Sequence, residues 1–242
     1  MNDLLSYTLE AHGGLSRWRT VESVSARIDV GGLLFEWKGV AGAFRGKKAV
    51  ADARRQRLVV EEIGGGNLVY TPEMVWIEDG AGRVLDQRPD PARAFEGHVQ
   101  ETRWDLFHAA VFNGRALWTY LTQPFLYVEP GFEVEEVEPL QEDGEVWRSL
   151  RVTFPKAVAS HTRTQITRIG PDGLIRRHDY TVDLLGGASG MNYASAYQNV
   201  DGIMVPTRRR VYPRDAPPPD GPLLVSLDLS DVVLDHWEDG SQ

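Results

Sequence analysis

The chain contains no cysteine. Disulfides, thiolate metal sites and cysteine nucleophiles are therefore excluded. It also lacks a basic excess: 26 Lys and Arg stand against 35 Asp and Glu, a formal net charge of −9. Phosphate recognition needs a basic surface, so nucleic acid is not an expected partner. No run approaches the ~18 apolar residues of a membrane-spanning helix. The opening MNDLLSYTLEAHGG has no basic n-region, no apolar core and no small-residue cleavage site. It does not read as a signal peptide, and a cytoplasmic location is the expectation.

Several catalytic motifs are missing as well. None of the six histidines forms an HxH, HxxxH or HExxH pair, so no metal site is expected. There is no Gly-x-Ser-x-Gly elbow and no Gly-x-Gly-x-x-Gly between strand and helix. Nothing calls for an organic cofactor. Gly64-Gly65-Gly66 precedes a strand and has no downstream Gly-Lys-Ser/Thr, so it reads as a turn and not a phosphate loop. Glu61-Glu62 and Glu135-Glu136 are adjacent, so each pair splits across the two faces of its strand.

What is present is aromatic and β-rich. There are seven Trp, eight Tyr and eight Phe, and 42% of the 242 residues are apolar. No stretch has the composition of a long linker, so residues 1–242 are expected to form a single domain. Residues 2–12 read as an amphipathic helix capped by Asn2 or Asp3 and ended by His12-Gly13-Gly14. His12 then sits where an imidazolium would suit the helix dipole. From Val21 the apolar period is two. Val24, Ala26, Ile28 and Val30 share one face, and after Gly31-Gly32 the residues Leu33, Phe35 and Trp37 read as a second strand of a hairpin. Residues 42–50, 56–63, 68–70 and 75–77 continue the meander, and residues 79–97 form a polar loop with a short strand near Arg83 to Asp86.

The pattern turns helical at about residue 102. Asn113-Gly114 is expected to break it into two helices, 102–112 and 114–122. Strands resume at 132–138, 146–154 and 162–169. Three more follow: Leu174 to Leu184, Met191 to Val200 and Ile203 to Tyr212. The last two are joined by Asp201-Gly202, among the strongest hairpin signals known. The proline-rich stretch 213–222 cannot join a sheet interior. Leu223 to Leu234 is a final strand, and a polar tail runs from His236. About ten strands and one central helical insertion predict a mainly β, α+β fold: a large antiparallel sheet that curls into an unclosed half-barrel, with helices over its concave face. That shape contains a cavity.

The order helix, meander, helical pair, second meander is joined by a local signature: Gly173-Leu174-Ile175-Arg176-Arg177, Tyr180, and Val200-Asp201-Gly202-Ile203-Met204-Val205-Pro206-Thr207-Arg208-Arg209. Together these resemble the lipoprotein-carrier superfamily of LolA/LolB-like unclosed β-barrels. Ala11-His12-Gly13-Gly14-Leu15-Ser16-Arg17-Trp18 also resembles bacterial proteins of that group. The resemblance implies a cavity that takes acyl chains or other apolar ligands, and so lipid binding. The carriers are periplasmic. A relative without a signal peptide is expected instead to hold a hydrophobic metabolite, or to act on one.

On the strand from Leu174, alternation puts Arg176, His178 and Tyr180 in an inward row. On the next strand Tyr193 and Tyr197 share a face with Met191. In the helical segment Trp104, Phe107, His108, Val111 and Phe112 fall on one side. Two functions are therefore expected. One is binding of a hydrophobic or amphipathic small molecule by Phe35, Trp37, Trp104, Phe107, Val111, Tyr193 and Tyr197. The other is a cofactor-independent cyclase, isomerase or hydratase in which His108, His178, Tyr180 and Arg176 orient substrate and move protons.

Overall fold

The computed structural model describes residues 2–237. One antiparallel sheet of 13 strands dominates it. Strands β1 (Val21–Gly31), β2 (Lys47–Asp52), β3 (Leu58–Ile63), β4 (Gly66–Tyr70), β5 (Met74–Glu78) and β6 (Val84–Pro89) form the first meander. Strands β7 (Glu133–Glu142), β8 (Glu145–Thr153), β9 (Thr164–Ile169), β10 (Ile175–Val182), β11 (Ala188–Val200), β12 (Ile203–Tyr212) and β13 (Val225–His236) form the second. The first and last strands zip the two together, giving the order β6 to β1, then β13 to β7. The sheet stays open. Its β7 edge carries Glu133, Glu135, Glu136 and Glu138 with Pro139, a run that discourages further pairing.

Among the described residues four α-helices accompany the sheet: α1 (Asp3–Ala11), α2 (Leu15–Trp18), α3 (Leu33–Lys38) and α4 (Leu106–Thr122). Asn2 caps α1, its side chain accepting from the N–H groups of Leu4 and Leu5 at 2.8 and 3.2 Å. Leu4, Leu5 and Leu9 are buried on one stripe. The C-terminus of α1 docks on the β11–β12 turn, where Met204 N–H donates to the His12 carbonyl at 3.0 Å. That turn is Asp201-Gly202, with φ of 48° and 84°, the left-handed pair a tight hairpin needs. In α2, Trp18 stacks on Phe125 with ring centres 4.6 Å apart. These contacts close one end of the half-barrel.

Helix α4 crosses the concave face and links the two edges of the sheet. Asp105 caps it in a capping box with His108. It is one continuous helix, not two. Gly114 does not break it; it lets the helix approach the sheet. A Cβ there would lie 2.3 Å from the Tyr70 ring. Close contact, not a turn, explains the glycine.

Residues 33–38 are the second departure. They form α3, not a strand. Gly32 at φ 107° redirects the chain, and the Leu33 and Leu34 N–H groups then bond the carbonyls of Leu223 and Leu224 at 3.1 and 3.0 Å. The alternating residues here also fit an i, i+3 pattern: Phe35 and Lys38 are buried together, while Leu34 and Trp37 share the next side. Gly39 ends the helix in the left-handed conformation. The tail expected from His236 is strand up to that residue, and 238–242 lie outside the described residues.

Candidate functional site

The end of the half-barrel opposite α1 is open. There a cavity of about 850 Å³ lies between α3, the 98–100 loop, the β10–β11 turn and the chain that leaves β12. Its lining is mostly apolar. Leu34 and Trp37 come from α3, Val182, Leu184 and Leu185 from the end of β10 and its turn, and Leu224 and Val225 from the approach to β13. Phe112 and Tyr180 form its inner wall. Polar groups gather at the mouth: His98, Gln100, Ser189, Arg214 and Asp215. Trp37 and Val99 are 52% and 62% exposed there, large apolar surface facing solvent.

Lys38 holds this mouth together. Its ammonium donates to the carbonyls of Val99, Gln100 and Thr102 at 3.4, 2.6 and 3.2 Å. Burial lowers its pKa. With three donors all engaged, it braces the lip and is not a free cation.

Behind Tyr180 lies a buried polar cluster. The Tyr180 and Tyr120 hydroxyls meet at 2.8 Å. Gln123 Nε2 donates to the Tyr127 hydroxyl at 2.6 Å and to His178 Nδ1 at 3.1 Å, and Tyr127 meets Thr167 Oγ1 at 2.7 Å. Arg209 lies over the Tyr120 ring at 4.3 Å and donates to Gln123 Oε1 at 3.3 Å. Arg209 is 2% exposed and has no carboxylate partner among the described residues. Burial lowers its pKa. Burial, then Arg209 and His161, push His178 well below the usual histidine range. His161, packed between Phe112 and Tyr180, is lowered by burial to about 3. Burial also takes His12 to about 4, so it is neutral at its helix end and is not the dipole partner expected of it.

The expected site residues are dispersed. Trp37 and Tyr180 line the cavity. His178 faces inward as expected but lies under Tyr120 and Tyr180. Arg176 leaves the inward row, because a β-bulge interrupts the β9–β10 register between Ile175 and Arg177. It pairs instead with Asp172 at 3.0 Å and Glu145 at 3.4 Å. His108 is occupied by the α4 cap: its Nδ1 accepts from Asp105 N–H at 3.2 Å, and its Nε2 donates to the Ala94 carbonyl at 3.0 Å. Burial tends to raise the Asp105 carboxyl, but hydrogen bonds from Arg88 and His108 N–H hold it at about 2.

Phe35, Trp104 and Val111 are core residues, with Phe35 edge-on to Trp104 at 6.5 Å. Phe107 packs beneath Arg88. Tyr193 and Tyr197 do not share a face. Tyr193 sits with Arg177 and Glu142 on the convex side, whereas Tyr197 lies edge-on to His12 at 5.8 Å. Ala196, at φ 54° between them, shifts the alternation by one. Phe112, His98, Val99 and the 213–225 wall line the cavity without having been expected there. Phe112 was visible on the helix stripe with Trp104 and His108. His98, Val99 and Pro213 to Asp215 lie in loops with no period to read, and Val225 opens β13. Among the described residues no three His, Asp or Glu are grouped to hold a metal, and no helix is long and apolar enough to cross a membrane.

No family model and no curated protein matches the chain. Solved structures do. A DUF1329 family protein from Desulfovibrio piger aligns over 99% of this chain and 93% of its own, with 12% identity and a TM-score of 0.50. A LolA superfamily protein from Nitrosomonas europaea aligns over 97% of this chain and 94% of its own, with 10% identity and a TM-score of 0.51. The unclosed sheet, the crossing helix and these alignments together show that the chain shares the fold of these LolA superfamily and DUF1329 structures.

Proposed function

We propose that the protein binds a hydrophobic or amphipathic small molecule in the cavity framed by α3, the β10–β11 turn and residues 213–225. The observation that carries this reading is the cavity itself: about 850 Å³, walled by aliphatic and aromatic side chains, with polar groups only at its mouth and inner end. Ligand pockets commonly have this size and this division of labour. The polar mouth suits an amphipathic molecule, and the apolar wall suits a lipid tail or a compact hydrophobic metabolite. The alternative, a cofactor-independent cyclase, isomerase or hydratase, rests on Tyr180, the one member of the expected acid–base set on the cavity wall.

Native mass spectrometry of gently purified protein tests the binding reading. A co-purifying mass that organic extraction removes is the expected result. Val182→Trp, which pushes an indole into the cavity from its wall, should reduce the amount retained. Undiminished retention of that mass by Val182→Trp would overturn the assignment to this cavity.

A further inference from the structure

The mouth of the cavity is electropositive in a chain that is not. The chain carries a formal net charge of −9. The charged residues lining the cavity are Lys38, Arg214 and Asp215, two cations against one carboxylate. His98, also on the wall, adds no charge near neutral pH: burial lowers its pKa, and His108 and Lys38 lower it further. The two cations differ in what they can do. Lys38 commits its three protons to carbonyls of the lip, so it acts on the cavity only through its field. Glu101 acts on that ammonium without forming an ion pair with it. Arg214 is exposed, and among the described residues its guanidinium has neither an ion pair nor a hydrogen bond. Its backbone is held in place, the Arg214 N–H donating to Ser189 Oγ at 3.2 Å. That bond occupies a lone pair of the hydroxyl and leaves its proton free to donate. Ser189 lines the cavity as well. A cation and a hydroxyl therefore come from adjacent points of the mouth, beside the aliphatic wall of Val182, Leu184 and Leu185.

A guanidinium with open donors suits a carboxylate, whose two oxygens match its fork. Asp215, the next residue, works against a second negative charge, so a monoanion fits better than a phosphate dianion. The apolar wall suits a hydrocarbon body. We propose that the mouth is the headgroup site for the carboxylate of a monocarboxylic acid with a hydrocarbon body, which enters the cavity tail-first. Arg214 and Ser189 hold the carboxylate, and the aliphatic walls hold the rest. The proposal rests on the reading of the cavity as a ligand site and adds the ligand's charge and direction of entry.

The test compares undecanoic acid carrying a dansylamino group on its terminal carbon with the methyl ester of the same molecule, at neutral pH, where the acid is ionised. Dansyl emission rises and moves to the blue in an apolar site, as tail-first entry requires. The ester is the more apolar of the two, so a preference for the acid cannot come from the walls. At low salt the wild-type protein should bind the acid about five- to tenfold tighter than the ester, between the contributions of an exposed ion pair and a charge-assisted hydrogen bond. Salt at about 0.5 M should narrow that gap. Arg214→Gln should close it while binding the ester as before. Asp215→Asn should widen it, which a merely structural role would not do. Both residues are exposed, so neither variant disturbs the core. Equal binding of acid and ester, or a preference that survives Arg214→Gln, overturns the carboxylate site and leaves the cavity reading standing. Binding of neither probe, or binding of both undiminished by Val182→Trp, overturns both.

Discussion

Two arginines separated by a single strand in the sheet order, Arg177 on β10 and Arg209 on β12, are almost equally buried, at 6% and 2% exposed. They lie on opposite faces and are handled in opposite ways. On the convex face, Arg177 donates to Asp179 at 2.7 and 3.0 Å and also to Glu142, while Arg168 reaches Asp179 at 3.2 Å. Burial works against the Arg177 charge, but Asp179 and its neighbours more than compensate and raise its pKa. On the concave face, Arg209 has, among the described residues, only a ring, an amide oxygen and a backbone carbonyl, and its Nη1 has no partner there. A buried charge ordinarily demands a counter-charge. The convex network satisfies that demand and is structural. The concave cluster leaves it open beside the cavity proposed to bind a ligand.

Acidification should break the concave face first, and with the largest effect. His12, His161 and His178 are buried and neutral. Their folded pKa values lie below the ordinary 6.5, so the unfolded chain takes up protons first. Their stabilisation is complete above pH 6.5 and falls away with decreasing pH, down to about 4 for His12 and about 3 for His161. Each histidine removes about 1.4 kcal/mol per pH unit across its window. Urea denaturation between pH 7 and about pH 4.5 should show this slope, and His161→Phe should flatten it by one histidine's share. A pH-independent midpoint would contradict the burial of all three.

Arg177→Met comes next. It strands the Glu142 and Asp179 carboxylates, and losing one partner of a buried pair costs about 3–5 kcal/mol. Because Arg168 still serves Asp179, the lower end is expected in chemical denaturation. Gly114→Ala tests the packing of α4. Alanine improves helix propensity by about 1 kcal/mol, but its Cβ collides with the Tyr70 ring, and overpacking costs about 1–3 kcal/mol. The two together give a net loss of up to roughly 2 kcal/mol in melting experiments. Increased stability would mean that α4 stands away from β4. The smallest effect should come from Arg209→Met, a change of less than about 1.5 kcal/mol in either direction, since removing an unpaired buried charge offsets the missing hydrogen bonds and ring packing. A loss as large as that of Arg177→Met would erase the contrast between the faces.

Much of the strand pattern was legible. β12 begins and ends where its turn and its alternation put it, because Asp201-Gly202 fixes a two-residue hairpin and the register follows. The two motifs of the family resemblance also prove to be neighbours: Gly13 packs against the Gly202 carbonyl, and Arg17 against Gly202 itself. The helical insertion was legible in place but not in number, because an interior glycine signals a break and a close approach alike. Residues 33–38 were ambiguous because six residues fit periods of two and of three equally well.

The candidate site was less legible, and for one reason. Assigning faces by alternation assumes an unbroken strand. The bulge after Ile175 and the left-handed Ala196 each shift the count by one, which sends Arg176 to the rim and separates Tyr193 from Tyr197. Tyr180 escaped this because it lies beyond the first irregularity and ahead of the second.

The sequence by itself determined the class of fold, the antiparallel meanders and the presence of a helix across them, since these follow from local periodicity and turn chemistry. Only the tertiary structure decided where the cavity opens and what lines it. That wall is built from α3, a loop, a hairpin turn and a proline-rich crossing, segments far apart in the chain that share no period. Their juxtaposition follows from the pairing of the first strand with the last, and from backbone irregularities that no pattern of side chains announces.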